Sequence, residues 1–295
     1  MKILNTPNER FVDLPDFPFS PNYIEVEAGL NMHYIDEGPQ DGEVVLLLHG
    51  QPSWSYLYRK MIPVFVENGY RVIAPDLIGF GKSGKPSEQS DYSYARHIQW
   101  LETFLQKTDL QGINLFVQDW GGLIGLRILA AHPHLFKTVT AGNTALPTGD
   151  QQMPDAFTQW VAFVKSVSYL PCGKILQSST VSELSPEVMA AYDAPFPDAS
   201  YQAGAKIFPS LVPATPNDPE TENNRLAWQQ LMQFDKPFLT LFSDSDPIMK
   251  GGEKVFQKLV PGAKHDQHTI IAAGGHFLQE DKGEEIARLM IDFIK

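Results

Sequence analysis

The chain is poor in the features that define several classes of protein. It has one cysteine, Cys172, which excludes an internal disulfide and a multi-cysteine metal cluster. Its formal net charge of -12 argues against a nucleic-acid partner, because phosphate binding needs clustered Lys and Arg. No run approaches the ~18 apolar residues of a membrane span, and residues 1–11 lack the apolar stretch of a signal peptide. We therefore expect a cytoplasmic protein with neither a nucleic-acid nor a membrane partner.

The composition that is present is that of a globular protein. Hydrophobic residues make up 43% of the chain and charged residues 20%, which is far from the composition of disordered proteins. A length of 295 residues is large for a single domain, but α/β folds of this size often carry one core with an inserted subdomain. The sequence can therefore bury a sizeable core.

Strand and helix patterns alternate along most of the chain. Residues 44–48 are continuously apolar, as in a strand buried on both faces of a parallel sheet, whereas residues 23–28 and 31–35 alternate like an antiparallel hairpin at a sheet edge. Further strands are predicted at residues 71–74, 113–117, 138–141, 238–242 and 269–272, and helices at residues 54–68, 95–106, 123–131, 253–259 and 284–294. This rhythm predicts an α/β fold with a mostly parallel central sheet flanked by helices.

One segment breaks the rhythm. Between residues 147 and 228 the strand patterns vanish, and ten of the 23 prolines fall there among helical fragments rich in aromatics. Because an irregular loop of ~80 residues is improbable inside a compact domain, we interpret residues 147–228 as an inserted helical cap. Residues 1–146 and 229–295 then form the core domain.

The predicted strand at residues 113–117 turns sharply into a helix at Asp119. The residue at the apex of such a turn projects its side chain from the top of the sheet, as the nucleophile does in the elbow motif of α/β-hydrolases. Here the apex is Asp rather than Ser, and Val117 replaces the first glycine of the motif, whereas Gly121 is retained. The alternative is an ordinary Asp that caps the helix beginning at Trp120.

Polar residues also follow three other predicted strands. His49-Gly50-Gln51 comes after residues 44–48, residues 243–247 contain Asp244 and Asp246, and His276 follows residues 269–272. Open α/β sheets place their ligand sites at the carboxyl ends of strands, and the chain order Asp, Asp, His matches nucleophile, acid and base in α/β-hydrolases. Either Asp244 or Asp246 could be the acid. The other position for an acid, after residues 138–141, holds Asn143, which is not a carboxylate.

With these segments assembled, the chain resembles the haloalkane dehalogenases, and among them the subfamily I type with one tryptophan beside the nucleophile and another in the cap. The resemblance covers residues 23–295 and rests on residues 49–59, 117–122, 157–160, 194–204 and 275–280. Epoxide hydrolases share the Asp-Trp-Gly-Gly elbow, but not its combination with the cap segment. The residue after His49-Gly50 departs from the Asn or Glu that is commoner in the family. Only the backbone N–H of Gln51 is needed, so we expect little effect.

The resemblance implies a role for each residue of the site. Asp119 is the nucleophile, His276 the base and Asp246, in preference to Asp244, the acid; Trp120 and Trp160 bind halide, although Trp160 could also be ordinary cap core. The backbone N–H groups of Gln51 and Trp120 form the oxyanion hole. The substrate pocket is expected to be lined by Leu123, Phe157, Phe208, Val212, Ile248 and Phe277.

Carboxylate chemistry explains why Asp suits this reaction. An ionised carboxylate can displace halide from an sp3 carbon without a base, and the resulting ester can be cleaved by water, whereas an ether on Ser could not. We therefore expect hydrolysis of a small halogenated alkane to primary alcohol, halide and proton by a monomer, without metal or cofactor. The alternatives are an epoxide hydrolase, which would need a cap tyrosine such as Tyr169, Tyr192 or Tyr201, and a non-catalytic binding protein on the same scaffold.

Overall fold

Ten strands and ten helices follow one another along the chain. The computed structural model describes residues 1–295. The strands are β1 (Ile3–Leu4), β2 (Asn22–Glu27), β3 (Leu30–Glu37), β4 (Val44–Leu48), β5 (Arg71–Pro75), β6 (Lys85–Pro86), β7 (Ile113–Gln118), β8 (Phe136–Gly142), β9 (Phe238–Ser243) and β10 (Thr269–Ile271). The helices are α1 (Ile62–Glu67), α2 (Tyr94–Thr108), α3 (Trp120–Ala131), α4 (Asp155–Ser166), α5 (Cys172–Ser178), α6 (Pro186–Asp193), α7 (Ala203–Leu211), α8 (Thr221–Leu231), α9 (Glu253–Leu259) and α10 (Leu278–Ile294).

Eight of the strands form one sheet in the order β10-β9-β8-β7-β4-β5-β3-β2. The six strands from β10 to β5 are parallel to their neighbours, and β3 and β2 add an antiparallel edge. Strands β4 and β7 lie in the middle and are buried along their whole length, which explains their continuous apolar sequences. The prediction of a mostly parallel α/β sheet flanked by helices is confirmed.

Two element predictions were wrong in detail. Strand β3 is not an edge strand, because it pairs with both β2 and β5. The helix expected at residues 54–68 is an extended residue at Trp54, a short 3₁₀ turn over Ser55–Tyr58, and then α1 from Ile62. The Ser55 N–H donates to the Asp76 carboxylate at 2.7 Å. Pro63 lies in the first turn of α1, where its missing N–H is tolerated, so the helix begins there and not at Trp54.

The Asp76 carboxylate also organises the glycine-rich loop after β5. It accepts hydrogen bonds from the Lys82 N–H at 2.8 Å and pairs with His33 at 2.7 Å. Gly81 lies at φ +48°, and a Cβ there would come within 2.0 Å of the Asp76 carboxylate. The loop is thus a turn network around a buried charge.

Helices α4 to α8 lie between β8 and β9, and no strand interrupts them. Helix α8 packs on core helix α3, where Arg127 contacts Glu220 at 3.0 Å and Asn224 at 3.1 Å. The division into a core of residues 1–146 and 229–295 and a cap of residues 147–228 stays a prediction. None of the ten helices is both long and apolar enough to cross a bilayer.

A buried ion pair joins the inserted helices to the core. Arg59 contacts both oxygens of Glu280 in α10 at 2.6 Å, and Lys60 adds a third contact at 2.8 Å. The Tyr192 hydroxyl of α6 donates to the same carboxylate at 2.5 Å. Burial raises the pKa of Glu280, but the hydrogen bonds and charges of Arg59 and Lys60 outweigh it and lower the pKa to about 2. Glu280 is therefore a charged anchor between α10 and α6.

Replacing Glu280 by Gln should destabilise the fold. The change leaves Arg59 as a buried charge without its counterion, and breaking such a pair typically costs about 3 to 5 kcal/mol. Because the folded pKa lies below the ordinary value of 4.5, the contribution is present above pH 4.5 and is lost as the pH falls toward 2. The stability difference between the wild type and Glu280→Gln should therefore shrink over that window in urea unfolding. Equal stabilities at pH 7 would contradict the assignment.

Candidate active site

The turn between β7 and α3 holds Asp119 in an unusual backbone conformation. Its φ of 49° and ψ of -125° lie outside the helical and strand regions, and its N–H donates to the Asn143 carbonyl at 3.0 Å. A Cβ on Gly121 would come within 1.9 Å of the Leu48 carbonyl oxygen, so only glycine fits there. The Asp119 side chain makes no capping hydrogen bond to α3. The geometry is therefore that of an elbow and not of a capped helix.

The Asp119 carboxylate is held between two other loops at the carboxyl edge of the sheet. Oδ1 accepts the backbone N–H of Gln51 at 2.7 Å, and Oδ2 lies 3.4 Å from Nε2 of His276. A Cβ on Gly50 would come within 2.3 Å of the carboxylate, so glycine is needed for this close approach. The three loops therefore converge on one carboxylate.

His276 lies between Asp119 and a second carboxylate. Its Nδ1 contacts Asp246 Oδ2 at 2.7 Å, and Asp246 Oδ1 accepts the N–H groups of Ile248 at 2.8 Å and Met249 at 3.2 Å. Asp244 instead accepts the Ser245 hydroxyl and does not reach the ring. Of the two candidate acids, the structure places Asp246 against His276.

Both members of this pair have shifted pKa values. Burial lowers the pKa of His276, but the charges of Asp246 and Asp119 outweigh burial and raise it to about 10. Burial raises the pKa of Asp246, and the His276 charge with three hydrogen bonds outweighs it, so the net shift is downward. At neutral pH the His276 ring is therefore positively charged, with Asp246 and Asp119 on either side of it.

Two amide side chains for which the sequence predicts no role hold His276 in place. Asn143 donates to the Gly275 and His276 carbonyls at 2.9 and 3.1 Å, and also to the Ser243 hydroxyl. The side-chain nitrogen of Gln118 donates to the His276 carbonyl at 3.1 Å. The same nitrogen lies 3.3 Å from Nε2 of the His276 ring. Gln118 stands next to Asp119 in the sequence, which is a detectable signal, whereas the contacts of Asn143 need the tertiary fold.

A cavity of about 980 Å³ opens onto Asp119, Trp120, Trp160 and His276. Five of the six predicted pocket residues line it: Leu123, Phe157, Val212, Ile248 and Phe277. Phe208 does not, because its fully buried ring packs behind Trp120 at 4.4 Å and against His97 at 4.6 Å. No group of three or more His, Cys, Asp or Glu side chains is placed to hold a metal ion.

The two indoles at the cavity differ in their hydrogen bonds. Trp120 is 2% exposed between Tyr94 and Phe208, and its N–H has no acceptor within the protein. The half-buried Trp160 of α4 donates its N–H to the side-chain oxygen of Gln51 at 3.4 Å. Two indoles, one from the core and one from the inserted helices, thus line the same cavity.

The three tyrosines considered for epoxide opening lie away from the cavity lining. Tyr192 is fully buried and donates to Glu280, and Tyr169 donates to the Phe196 carbonyl at 3.2 Å. Tyr201 packs against the core cluster. No tyrosine hydroxyl of this set faces the Asp119 carboxylate.

The charge balance at His276 predicts two titration shifts. Both Asp119→Asn and Asp246→Asn should lower the pKa of His276 from about 10, because each removes a negative charge beside the ring. The drop should be larger for Asp246→Asn, since the Asp246 charge contributes most to the upward shift. Histidine side-chain NMR titration measures both. An unchanged pKa in Asp119→Asn would contradict the contact between Asp119 and the ring.

Comparison with known proteins places the chain in a family. A family model described as alpha/beta hydrolase fold matches residues 43–283. The haloalkane dehalogenase of Psychrobacter cryohalolentis is 54% identical over 298 residues, with 100% of this chain and 98% of that protein aligned. The haloalkane dehalogenase of Mycobacterium marinum is 47% identical, with 99% and 100% aligned.

Solved structures agree with the sequence relatives. The haloalkane dehalogenase DpaA from Paraglaciecola agarilytica NO2, whose structure is described as tetrameric, superposes with a TM-score of 0.93 at 36% identity over 99% of this chain and 98% of that one. The haloalkane dehalogenase DbeA from Bradyrhizobium elkani USDA94 gives a TM-score of 0.78 at 26% identity over 93% and 98%. The elbow, the mostly parallel sheet and these relatives together lead to one conclusion: the chain belongs to the haloalkane dehalogenase family of the α/β-hydrolase superfamily.

Proposed function

We propose that this enzyme hydrolyses a halogenated alkane to primary alcohol, halide and proton through a covalent alkyl ester on Asp119, with the subfamily I arrangement of two halide-binding tryptophans. The observation that carries the proposal is the Asp119 carboxylate, held by the Gln51 N–H and the His276 ring, at a cavity that two tryptophans also line. The family relatives support the class of reaction.

In the first step, an Asp119 oxygen attacks the carbon that bears the halogen. The carbon–oxygen bond forms as the carbon–halogen bond breaks, and the electron pair leaves with the halide. A full negative charge then develops in an apolar cavity, where indole N–H groups are suitable because they donate and bring no competing acceptor. Trp120 and Trp160 are the two donors in our proposal.

In the second step, water cleaves the ester. Esterification removes the negative charge of Asp119, so the pKa of His276 falls from about 10 and the ring can act as a base. His276 takes a proton from water, Asp246 stabilises the charged ring, and the hydroxide adds to the ester carbonyl. The N–H groups of Gln51 and Trp120 receive the oxyanion, each typically worth about 3 to 4 kcal/mol in the barrier. Collapse breaks the ester C–O bond and releases the alkoxide, which takes the proton from His276. Asp119 is left as a carboxylic acid, and loss of its proton to solvent restores the nucleophile.

The same carboxylate could open an epoxide, but the cavity offers no tyrosine hydroxyl to protonate the ring oxygen. Tyr192 and Tyr169 donate to partners elsewhere, and Trp160 lies at the cavity instead. This arrangement favours a halogenated alkane over an epoxide as substrate.

All of the site residues come from one chain, so a monomer is sufficient for the chemistry, and a monomer stays our prediction.

The covalent mechanism predicts that the two steps separate in His276→Phe. The variant should still cleave the carbon–halogen bond, because an ionised carboxylate needs no base, whereas ester hydrolysis should slow by roughly 10²- to 10⁴-fold without general-base assistance. Given a bromoalkane, it should release about one bromide per active site and then stop. Peptide mass analysis should find the alkyl group on the peptide that contains Asp119.

The control is His134→Phe, which removes an exposed histidine away from the cavity and should turn over normally. If His276→Phe shows neither burst nor adduct, or carries the alkyl group on another residue, the covalent Asp119 mechanism is wrong.

The halide role predicts that chloride or bromide quenches tryptophan fluorescence saturably. Trp160→Phe should weaken that binding by roughly 10- to 100-fold, as expected when a donor to a charged group is lost, and should slow carbon–halogen cleavage. Trp228→Phe is the matched control, because Trp228 also lines the cavity but donates its N–H to the Leu146 carbonyl at 2.7 Å. Wild-type halide affinity in Trp160→Phe would exclude this indole as the second donor.

A further inference from the structure

Gln51 does more at the site than supply a backbone N–H. Its side chain is buried, with the residue 5% exposed, and both ends of the carboxamide have partners on inserted helices. The amide nitrogen donates to the Ala205 carbonyl of α7 at 2.5 Å, and the amide oxygen accepts the Trp160 N–H of α4 at 3.4 Å. One side chain therefore connects two helices of the insertion at the cavity.

Pro209 explains why the carboxamide is oriented this way. In an α-helix the carbonyl of residue i accepts the N–H of residue i+4, but proline has no N–H. Pro209 lies inside α7, so the Ala205 carbonyl has no helical donor, and the Gln51 amide supplies one. Turning the amide over would set its oxygen against the Ala205 carbonyl and its NH₂ against the Trp160 N–H, which leaves two buried clashes of like polarity. The oxygen is therefore fixed toward Trp160.

We propose that the Gln51 carboxamide oxygen is an internal acceptor that competes with halide for the Trp160 N–H and so weakens halide retention after the carbon–halogen bond is cleaved. The inference rests on the proposed function, because it takes Trp160 to be a halide donor. The Trp120 N–H has no such competitor within the protein, so the two donors are unequal. The Trp120 N–H is free to bind halide, whereas the Trp160 N–H must first loosen its hydrogen bond to the Gln51 oxygen.

The difference between the two N–H donors affects cleavage and halide release in opposite ways. An interaction with halide that is strong only while charge develops helps cleavage, whereas tight binding of the free product slows its release. A weak, long hydrogen bond of 3.4 Å gives way to a full anion yet offers the indole a partner when halide leaves. Gln51 is thus a positioning residue that sets halide affinity through Trp160.

The experiment measures halide dissociation constants by tryptophan fluorescence in Gln51→Met. Methionine keeps the length of the side chain and removes the amide oxygen, and the backbone N–H to Asp119 stays. Bromide and chloride should bind roughly 2- to 10-fold tighter than in the wild type, the usual net effect of one neutral hydrogen bond. Gln229→Met is the matched control, since Gln229 lines the cavity on α8 without contacting Trp160, and its halide affinity should be unchanged.

A double-mutant cycle tests whether the effect passes through the indole. In the Trp160→Phe background, Gln51→Met should no longer tighten halide binding, because the contested N–H is gone. Pro209→Ala is a second route to the same outcome: residue 209 can then donate to the Ala205 carbonyl and share it with the Gln51 amide, which weakens the hold on the carboxamide, and halide should again bind tighter. This variant keeps the test available if Gln51→Met does not fold.

Each outcome has one meaning. If the wild type shows no saturable quenching, or Trp160→Phe binds halide normally, the halide role of Trp160 fails and this inference fails with it. If those controls behave as proposed but Gln51→Met and Pro209→Ala bind halide no more tightly, the inference alone is wrong. Tightening by Gln51→Met that persists in Trp160→Phe also overturns it.

Discussion

The site depends on the backbone conformation of Asp119. A non-glycine residue at φ 49° costs on the order of 1 to 3 kcal/mol, so the surroundings must enforce it. They do so by close approach: the Asp119 N–H bonds to the Asn143 carbonyl, and Gly121 brings α3 against the end of β4. With a side chain at either Gly121 or Gly50, the carboxylate could not sit between the Gln51 N–H and His276.

Charge sets the second constraint. Two carboxylates flank one imidazole, and the excess negative charge makes His276 a poor base while Asp119 is ionised. The same arrangement makes the ring responsive, because esterification of Asp119 removes one of the two charges. The covalent chemistry already requires that the ester form before water cleaves it, and the charge balance at His276 agrees with that order. Asp246 keeps its charge throughout, since two backbone N–H groups and the ring stabilise it.

The sequence predicted most of the sheet and named the residues that the structure brings together at the candidate site, and each departure from those predictions has its own physical cause. Buried strands and strand-end residues are local patterns, so β4, β7 and Asp119 could be found without the fold. The helix expected at residues 54–68 begins instead at Ile62, because Pro63 has no N–H and is accommodated in the first turn of a helix. Phe208, which the sequence predicts to line the pocket, packs behind Trp120, because tertiary packing decides which face of α7 meets that indole.

Gln51 shows the same limit most clearly. The sequence predicts a role only for the Gln51 backbone N–H. The partners of its side chain, on α4 and α7, lie more than 100 residues away along the chain, so no local pattern reveals them. Yet a local feature, Pro209 inside a helix, creates the unsatisfied carbonyl that orients this amide. The proposed halide donors belong to different parts of the chain, Trp120 to the core and Trp160 to the insertion. Gln51 contacts Asp119 and Trp160 directly, so any shift of α4 relative to the core changes nucleophile and halide site together. The Tyr192 hydroxyl and Glu280 hold a different helix of the insertion, α6, against the core, so the insertion is fixed at a second point away from Gln51.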